Sequence, residues 1–222
     1  MFEAVIFDID GTLVDSVDLH ARAWQDAFAH FGKNISFETM HDQIGKGGDQ
    51  ILPTFLSKAE IDLFGEQMKE YRGEHFKRNY LAKVKPFSRV RELFERIKDD
   101  GKKIAIGSSA HEDELNHYLK LCEVDDLADV LTCADDADKS KPHPDIFEVA
   151  LSKLGETPSR TIVIGDSPYD AQAASKISMR TIGVLCGGFS REILERAGVI
   201  AVFENPAEIL QKYDEFFKAV KC

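Results

Sequence analysis

Short runs rich in Val and Ile recur along this chain and are apolar on both alternating faces: Ala4 to Phe7, Lys103 to Gly107, Asp129 to Cys133, Thr161 to Gly165 and Arg180 to Val184, with a weaker run at Val199 to Phe203. A strand with one wet face alternates polar and apolar residues, whereas a run apolar on both faces must be covered on both. Gly, Ser or Asp bounds the runs, and the longer stretches between them carry helical periodicity that can supply the covering layers. This alternation predicts an α/β fold with a Rossmann-like parallel sheet core. At 222 residues and 43% apolar side chains, the chain has room for one main domain with an insertion.

The alternation fails between residues 15 and 83, which hold helical patterns and no comparable run. Val17, Ala21, Trp24, Phe28 and Phe31 form one apolar stripe at spacings of three and four. We therefore expect an inserted all-helical domain over 15–83 and a core built from 1–14 and 84–222. The hinges fall near Val14 to Ser16 and Lys83 to Phe87, the second supported by Pro86, because the residue before a proline tends to leave helical geometry.

Open parallel sheets bind ligands beyond the carboxyl ends of their strands, so the residues that follow each run are the candidates for chemistry. The first run ends in Asp8-Ile9-Asp10-Gly11-Thr12, where alternation lets Asp8 and Asp10 converge and Gly11 allows a tight turn. Two carboxylates brought together call for a cation or a shared proton. The second run ends in Ser108-Ser109. Ser109, three residues before Glu112, reads as a capping box, which leaves Ser108 free to point at an anion. A third station, Ser140-Lys141-Pro142-His143-Pro144-Asp145, presents Lys141 from a proline-stiffened loop. The fourth run ends in Asp166-Ser167-Pro168-Tyr169-Asp170, with Ser167 as N-cap, Pro168 at the first helical position and Asp170 in the first turn.

Each station alone has an ordinary structural explanation. Together, in this order, DxDGT, a strand-terminal Ser, a Lys before Pro and GDSxxD resemble the four signature motifs of the haloacid dehalogenase-like superfamily, and the helical insertion looks like that superfamily's cap. The resemblance implies a phosphatase that uses Asp8 as nucleophile and Asp10 as acid and base. It implies Mg²⁺ held by the Asp8 carboxylate, the Asp10 carbonyl and Asp166, with Asp170 behind them orienting a water or Lys141. Ser108, Ser109 and Lys141 would hold the phosphoryl oxygens. The segment His20-Ala21-Arg22-Ala23-Trp24 is similar to the beta-phosphoglucomutase and phosphoglycolate phosphatase-like branch, and offers His20 as a substrate contact or as a packed neighbour of Trp24.

Lys46, in Gly45-Lys46-Gly47-Gly48-Asp49, is a second candidate contact, on a flexible break that either reaches toward the site or simply joins two helices. Asp49 stands where beta-phosphoglucomutases carry an arginine for a second phosphate. We therefore expect hydrolysis, with a sugar phosphomutase as the alternative. The acidic stretch Asp125, Asp126, Asp129, Asp135, Asp136 and Asp138 lacks the spacing of a calcium loop and reads as solvated surface.

The formal charge of -11 disfavours nucleic acid or an anionic membrane as partner and leaves a small phosphorylated metabolite, on which a metal and one or two lysines can act locally. The cysteines Cys122, Cys133, Cys186 and Cys222 include no CxxC pair, so free thiols are expected. No window approaches a membrane span and Met1 to Asp8 runs straight into a strand pattern, so a cytoplasmic monomer or weak dimer is the expectation.

Overall fold

The computed structural model describes residues 2–219; Met1 and Cys222 lie outside them. The order is β1 (Ala4–Phe7), β2 (Val14–Asp15), α1 (Val17–His30), α2 (Phe37–His41), α3 (Gly48–Phe55), α4 (Lys58–Glu60), α5 (Glu66–Asn79), β3 (Lys85–Pro86), α6 (Val90–Asp99), β4 (Lys103–Gly107), α7 (Glu112–Leu121) and β5 (Val130–Thr132). It continues with α8 (Asp145–Leu154), β6 (Thr161–Gly165), α9 (Pro168–Lys176), β7 (Arg180–Val184), α10 (Arg191–Ala197), β8 (Ala201–Phe203), α11 (Pro206–Gln211) and α12 (Tyr213–Ala219).

Six strands form one sheet in the order β5-β4-β1-β6-β7-β8, every pair parallel. The α/β architecture expected from the runs is therefore observed, and four of them match their strands end to end. The run at Asp129 to Cys133 is shorter as a strand, Val130–Thr132, and the Asp129 carboxylate before it takes the Ile104 N–H that a backbone carbonyl would otherwise accept. Alternation within β1 explains the two layers. Val5 and Phe7 face one core with Phe94, Ile97 and Tyr118, while Ala4 and Ile6 face another with Phe147, Ala150 and Leu154.

Among the described residues, 16–84 contribute no strand to either sheet. Val17, Ala21, Trp24 and Phe28 pack with Met40, Ile51, Leu52 and Met68 in a third cluster of their own, and Phe31 packs against it. A two-residue antiparallel ribbon flanks this stretch, with Val14 opposite Pro86 and Asp15 opposite Lys85. No helix among the described residues is long and apolar enough to cross a membrane.

Because the chain runs from β1 outward through β4 and β5, then returns to place β6 on β1's other side, β1 and β6 flank the point where strand order reverses. That crevice is where open α/β sheets hold ligands. Asp8 follows β1 and Asp166 follows β6.

Candidate active site

Asp8 is buried at the end of β1, and Lys141 Nζ donates to its Oδ1 at 2.5 Å and to Asp170 Oδ1 at 2.8 Å. Lys141 is only 1% exposed, so the loop before α8 delivers it into the sheet edge rather than to solvent. Asp170 is fully engaged: its Oδ2 accepts the Ser167 hydroxyl at 2.6 Å and the Ser167 N–H, which completes the capping box expected at the start of α9. Carboxylate oxygens of Asp8, Asp166 and Asp170 lie within 4.8 Å of one another. The glycines allow this crowding, since a Cβ at Gly11 or Gly187 would overlap the Asp166 carboxylate.

Three buried carboxylates therefore face one ammonium. Burial pushes the Asp8 carboxyl up to about 7, with Asp170 and Asp10 adding to the rise and Lys141 opposing it. Asp166 is raised well above the usual range by burial, then by Asp8 and Asp170. Burial disfavours the charge on Lys141, but Asp170 and Asp8 outweigh it and hold the ammonium more firmly than usual. A cluster with an excess of negative charge and only hard oxygen donors fits Mg²⁺ and does not fit a soft metal. Asp170 accepts hydrogen bonds on both oxygens, whereas Lys141 engages Asp8 through Oδ1.

Asp10 does not join that group. Its Oδ1 accepts from Ser16 Oγ at 2.6 Å and pairs with His20 Nε2 at 2.8 Å, while it lines the same cavity as Asp8. Burial alone would raise Asp10, yet His20, Ser16 and Arg72 together hold it below the usual carboxylate range. Arg72 Nη2 lies against His20 Nδ1. A guanidinium can only donate, so Nδ1 accepts and Nε2 carries the proton given to Asp10. His20 is thus more than a packed neighbour of Trp24: it stacks on Phe76 at 4.0 Å between centroids and bonds Asp10 as well.

Two expectations need correction. Ser109 is not an N-cap, because α7 starts at Glu112 after His111, and Ser109 instead lines the cavity. Ser108 folds back, its Oγ accepting the Ala110 N–H at 3.1 Å, so only its hydroxyl proton remains to meet an anion. The second concerns the cap loop, which is not simply a flexible break: Gly48 and Asp49 belong to α3, and Asp49 Oδ2 accepts the Ser140 N–H at 3.2 Å beside the cavity rather than in its lining.

The loop docks on the core, with Tyr169 OH donating to the Asp42 carbonyl at 2.5 Å, and it brings Lys46 to the cavity rim. There Lys46 Nζ donates to Gln43 at 2.6 Å and sits 4.7 Å above the Tyr169 ring. The six acids between 125 and 138 are exposed, and several are paired on the surface, for example Asp126 with Arg91 and Asp136 with Lys153.

Arg72 and Glu114 were not anticipated, and both line the cavity. A signal existed for each. Met68, Arg72 and Phe76 stand four apart on α5, so Arg72 lies on the helix's buried stripe; Glu114 and Tyr118 share a stripe of α7 in the same way. The cavity measures about 80 Å³.

The sequence pattern of the family described as haloacid dehalogenase-like hydrolase matches residues 5–184. The chain belongs to that family. A relative from Thermotoga maritima named phosphorylated carbohydrates phosphatase is 30% identical over 215 residues, covering 96% of this chain and 99% of its own. The pyrophosphatase PpaX of Bacillus pumilus is 29% identical over 182 residues, covering 81% of this chain and 82% of its own. Among solved structures, a hydrolase from Pseudomonas syringae superposes with a TM-score of 0.87 at 29% identity, covering 96% of this chain and 99% of that one. In this haloacid dehalogenase-like hydrolase the sheet edge, the buried acids and Lys141 thus stand together at one crevice.

Proposed function

We propose that the protein is a Mg²⁺-dependent phosphatase that hydrolyses a small phosphate monoester through an aspartyl phosphate on Asp8. The observation that carries this reading is the Asp8 corner itself: a buried carboxylate at the switch point, held by Lys141, beside Asp166, with Asp10 on the wall of the same cavity. Lys141 engages Oδ1, and in this reading the second Asp8 oxygen attacks phosphorus as the ester P–O bond breaks. Lys141, Ser108 and Ser109 are the groups for the phosphoryl oxygens.

Asp10 gives the leaving oxygen a proton, then takes one from the water that cleaves the aspartyl phosphate. Because Asp10 is ionised in the free protein, it must gain its proton when substrate binds; a phosphoryl group beside it adds negative charge and pushes the carboxyl up. Bound Mg²⁺ would supply charge neutralisation, with Asp8, the Asp10 carbonyl and Asp166 to hold it and Asp170 positioning Lys141. The helices of 15–83 act as a cap that excludes water.

A panel of phosphate esters assayed with Mg²⁺ and again with EDTA tests the reading. Phosphate release that EDTA abolishes is expected; no release from any ester would remove the proposal. A phosphomutase is the second reading; Arg72 and Lys46 line the cavity, and a second phosphate would need them to outweigh Asp10 and Glu114. An anomeric hexose phosphate with a trace of its bisphosphate distinguishes the two, since rapid isomerisation with little inorganic phosphate is the mutase outcome.

The acid cluster also sets a pH dependence. A carboxyl with a raised folded pKa contributes stability that is present below its unfolded value, 3.8, and lost as pH rises through the folded value, about 7 for Asp8. Lys141 stays charged across that window. Mg²⁺ binds the ionised carboxylates and offsets their repulsion, so its effect on Tm should grow as pH rises. A gain of a few degrees near pH 8 and almost none near pH 5 is expected in calorimetry. Equal gains at both would place Mg²⁺ elsewhere.

A further inference from the structure

The end of the cavity beyond Asp10 has a chemistry of its own. Arg72 reaches in from α5 with its Cζ 5.4 Å from the Trp24 ring and 5.2 Å from the Phe76 ring, and its Nη2 rests on His20. Its Nε is buried and makes no hydrogen bond. A buried N–H without an acceptor weakens the fold, and the guanidinium that carries it lines the cavity.

From the core side, Glu114 of α7 lines the same cavity, only 5% exposed, with Oε1 3.6 Å from His20 Nε2 and accepting the Tyr118 hydroxyl at 3.1 Å. No step of phosphoryl transfer uses Glu114. A buried carboxylate there disfavours any anion that comes near it.

We infer that Arg72 and Glu114 select the leaving group by charge: they accept an uncharged, hydroxyl-bearing group, as in a sugar or polyol phosphate, and reject one with a negative charge of its own. A hydroxyl both accepts and donates, so the hydroxyls of such a group can give to a Glu114 oxygen and accept from the Arg72 guanidinium without bringing a charge of their own. An anionic group gains from Arg72 but meets two carboxylates, because Asp10 already draws on the guanidinium and Glu114 adds a second negative charge. Lys46 does not reverse the balance, since its ammonium is turned to Gln43 and the Tyr169 ring at the rim. Inorganic pyrophosphate and phosphoglycolate fall in the rejected class.

This inference rests on the phosphatase reading, and the test separates the two. kcat/KM is measured with Mg²⁺ for glycerol phosphate and a hexitol phosphate against pyrophosphate and phosphoglycolate, for the unaltered protein and for Glu114→Gln and Arg72→Met. The unaltered protein should favour the hydroxylated esters. Glu114→Gln should shift the ratio toward the charged leaving groups by about tenfold, the effect of removing one facing like charge. Arg72→Met should raise KM for the hydroxylated esters more than it lowers kcat.

A preference of the unaltered protein for pyrophosphate or phosphoglycolate overturns the inference, whether or not either variant folds. A folded Glu114→Gln with an unchanged ratio also overturns it. In both cases the phosphatase reading survives, whereas an absence of Mg²⁺-dependent phosphate release from every ester would overturn both.

Discussion

Asp8→Ala is expected to lower phosphate release by about 10⁴-fold or more while leaving the protein folded, because on the proposed mechanism it removes the carboxylate that carries the phosphoryl group. The stability side of the same substitution runs opposite to a usual core deletion. Asp8 is one of three buried carboxylates that share one ammonium, and burial with its neighbours has pushed its carboxyl up to about 7. Taking that charge away relieves Asp166 and leaves Lys141 with Asp170 as partner. The ion-free variant should therefore melt at or above the temperature of the unaltered protein near neutral pH, and gain less from added Mg²⁺. Circular dichroism melts and a phosphate-release assay on one preparation decide the matter. A folded variant with near-normal Mg²⁺-dependent turnover would move the nucleophile away from Asp8.

Lys141→Met should have the largest effect on stability of any single change at this site. The side chain is 1% exposed and pairs with Asp8 and Asp170, so its loss leaves three acids buried with no protein cation among them. Removing one partner of a buried ion pair typically destabilises by about 3–5 kcal/mol. For a chain of this length that corresponds to a fall of roughly 6–20 °C in Tm. Mg²⁺ should recover part of the loss, and adding Asp170→Asn to the variant should recover more, because the second change removes a charge left unpaired by the first. A fall of no more than a degree or two would mean that the acids already share protons and that Lys141 is not what balances them.

Much of this molecule is written in its strand-like runs. The run Thr161 to Gly165 was legible because a strand buried on both faces is a continuous apolar stretch whatever packs on it, and Asp166 was legible because it ends that stretch. Asp8, Lys141 and Asp170 followed from the same rule, that parallel sheets work at their carboxyl edge. The capping box at Ser167 and Asp170 also stood in the sequence, since it needs only residues three apart. Ser109 shows where that local rule fails: Ser109 and Glu112 have the right spacing, but the Ser108 hydroxyl takes the Ala110 N–H and α7 starts later.

The division follows the range of the forces. The sequence by itself determined the parallel sheet, the place of the helical insertion and the line of polar groups at the strand ends, because each depends on neighbours within a few residues. Tertiary structure alone decided how those groups pair. Asp8 and Asp10, two residues apart, divide between Lys141, 133 positions away, and His20. Arg72 reaches His20 across 52 positions and Tyr118 reaches it across 98. The burial of Lys141 and the open N–H of Arg72 are likewise set by what closes over them. No local pattern carries such pairings, since Lys141 meets Asp8 only when the sheet edge is assembled, and Arg72, Tyr118 and His20 meet only when the helices of 16–84 pack over it.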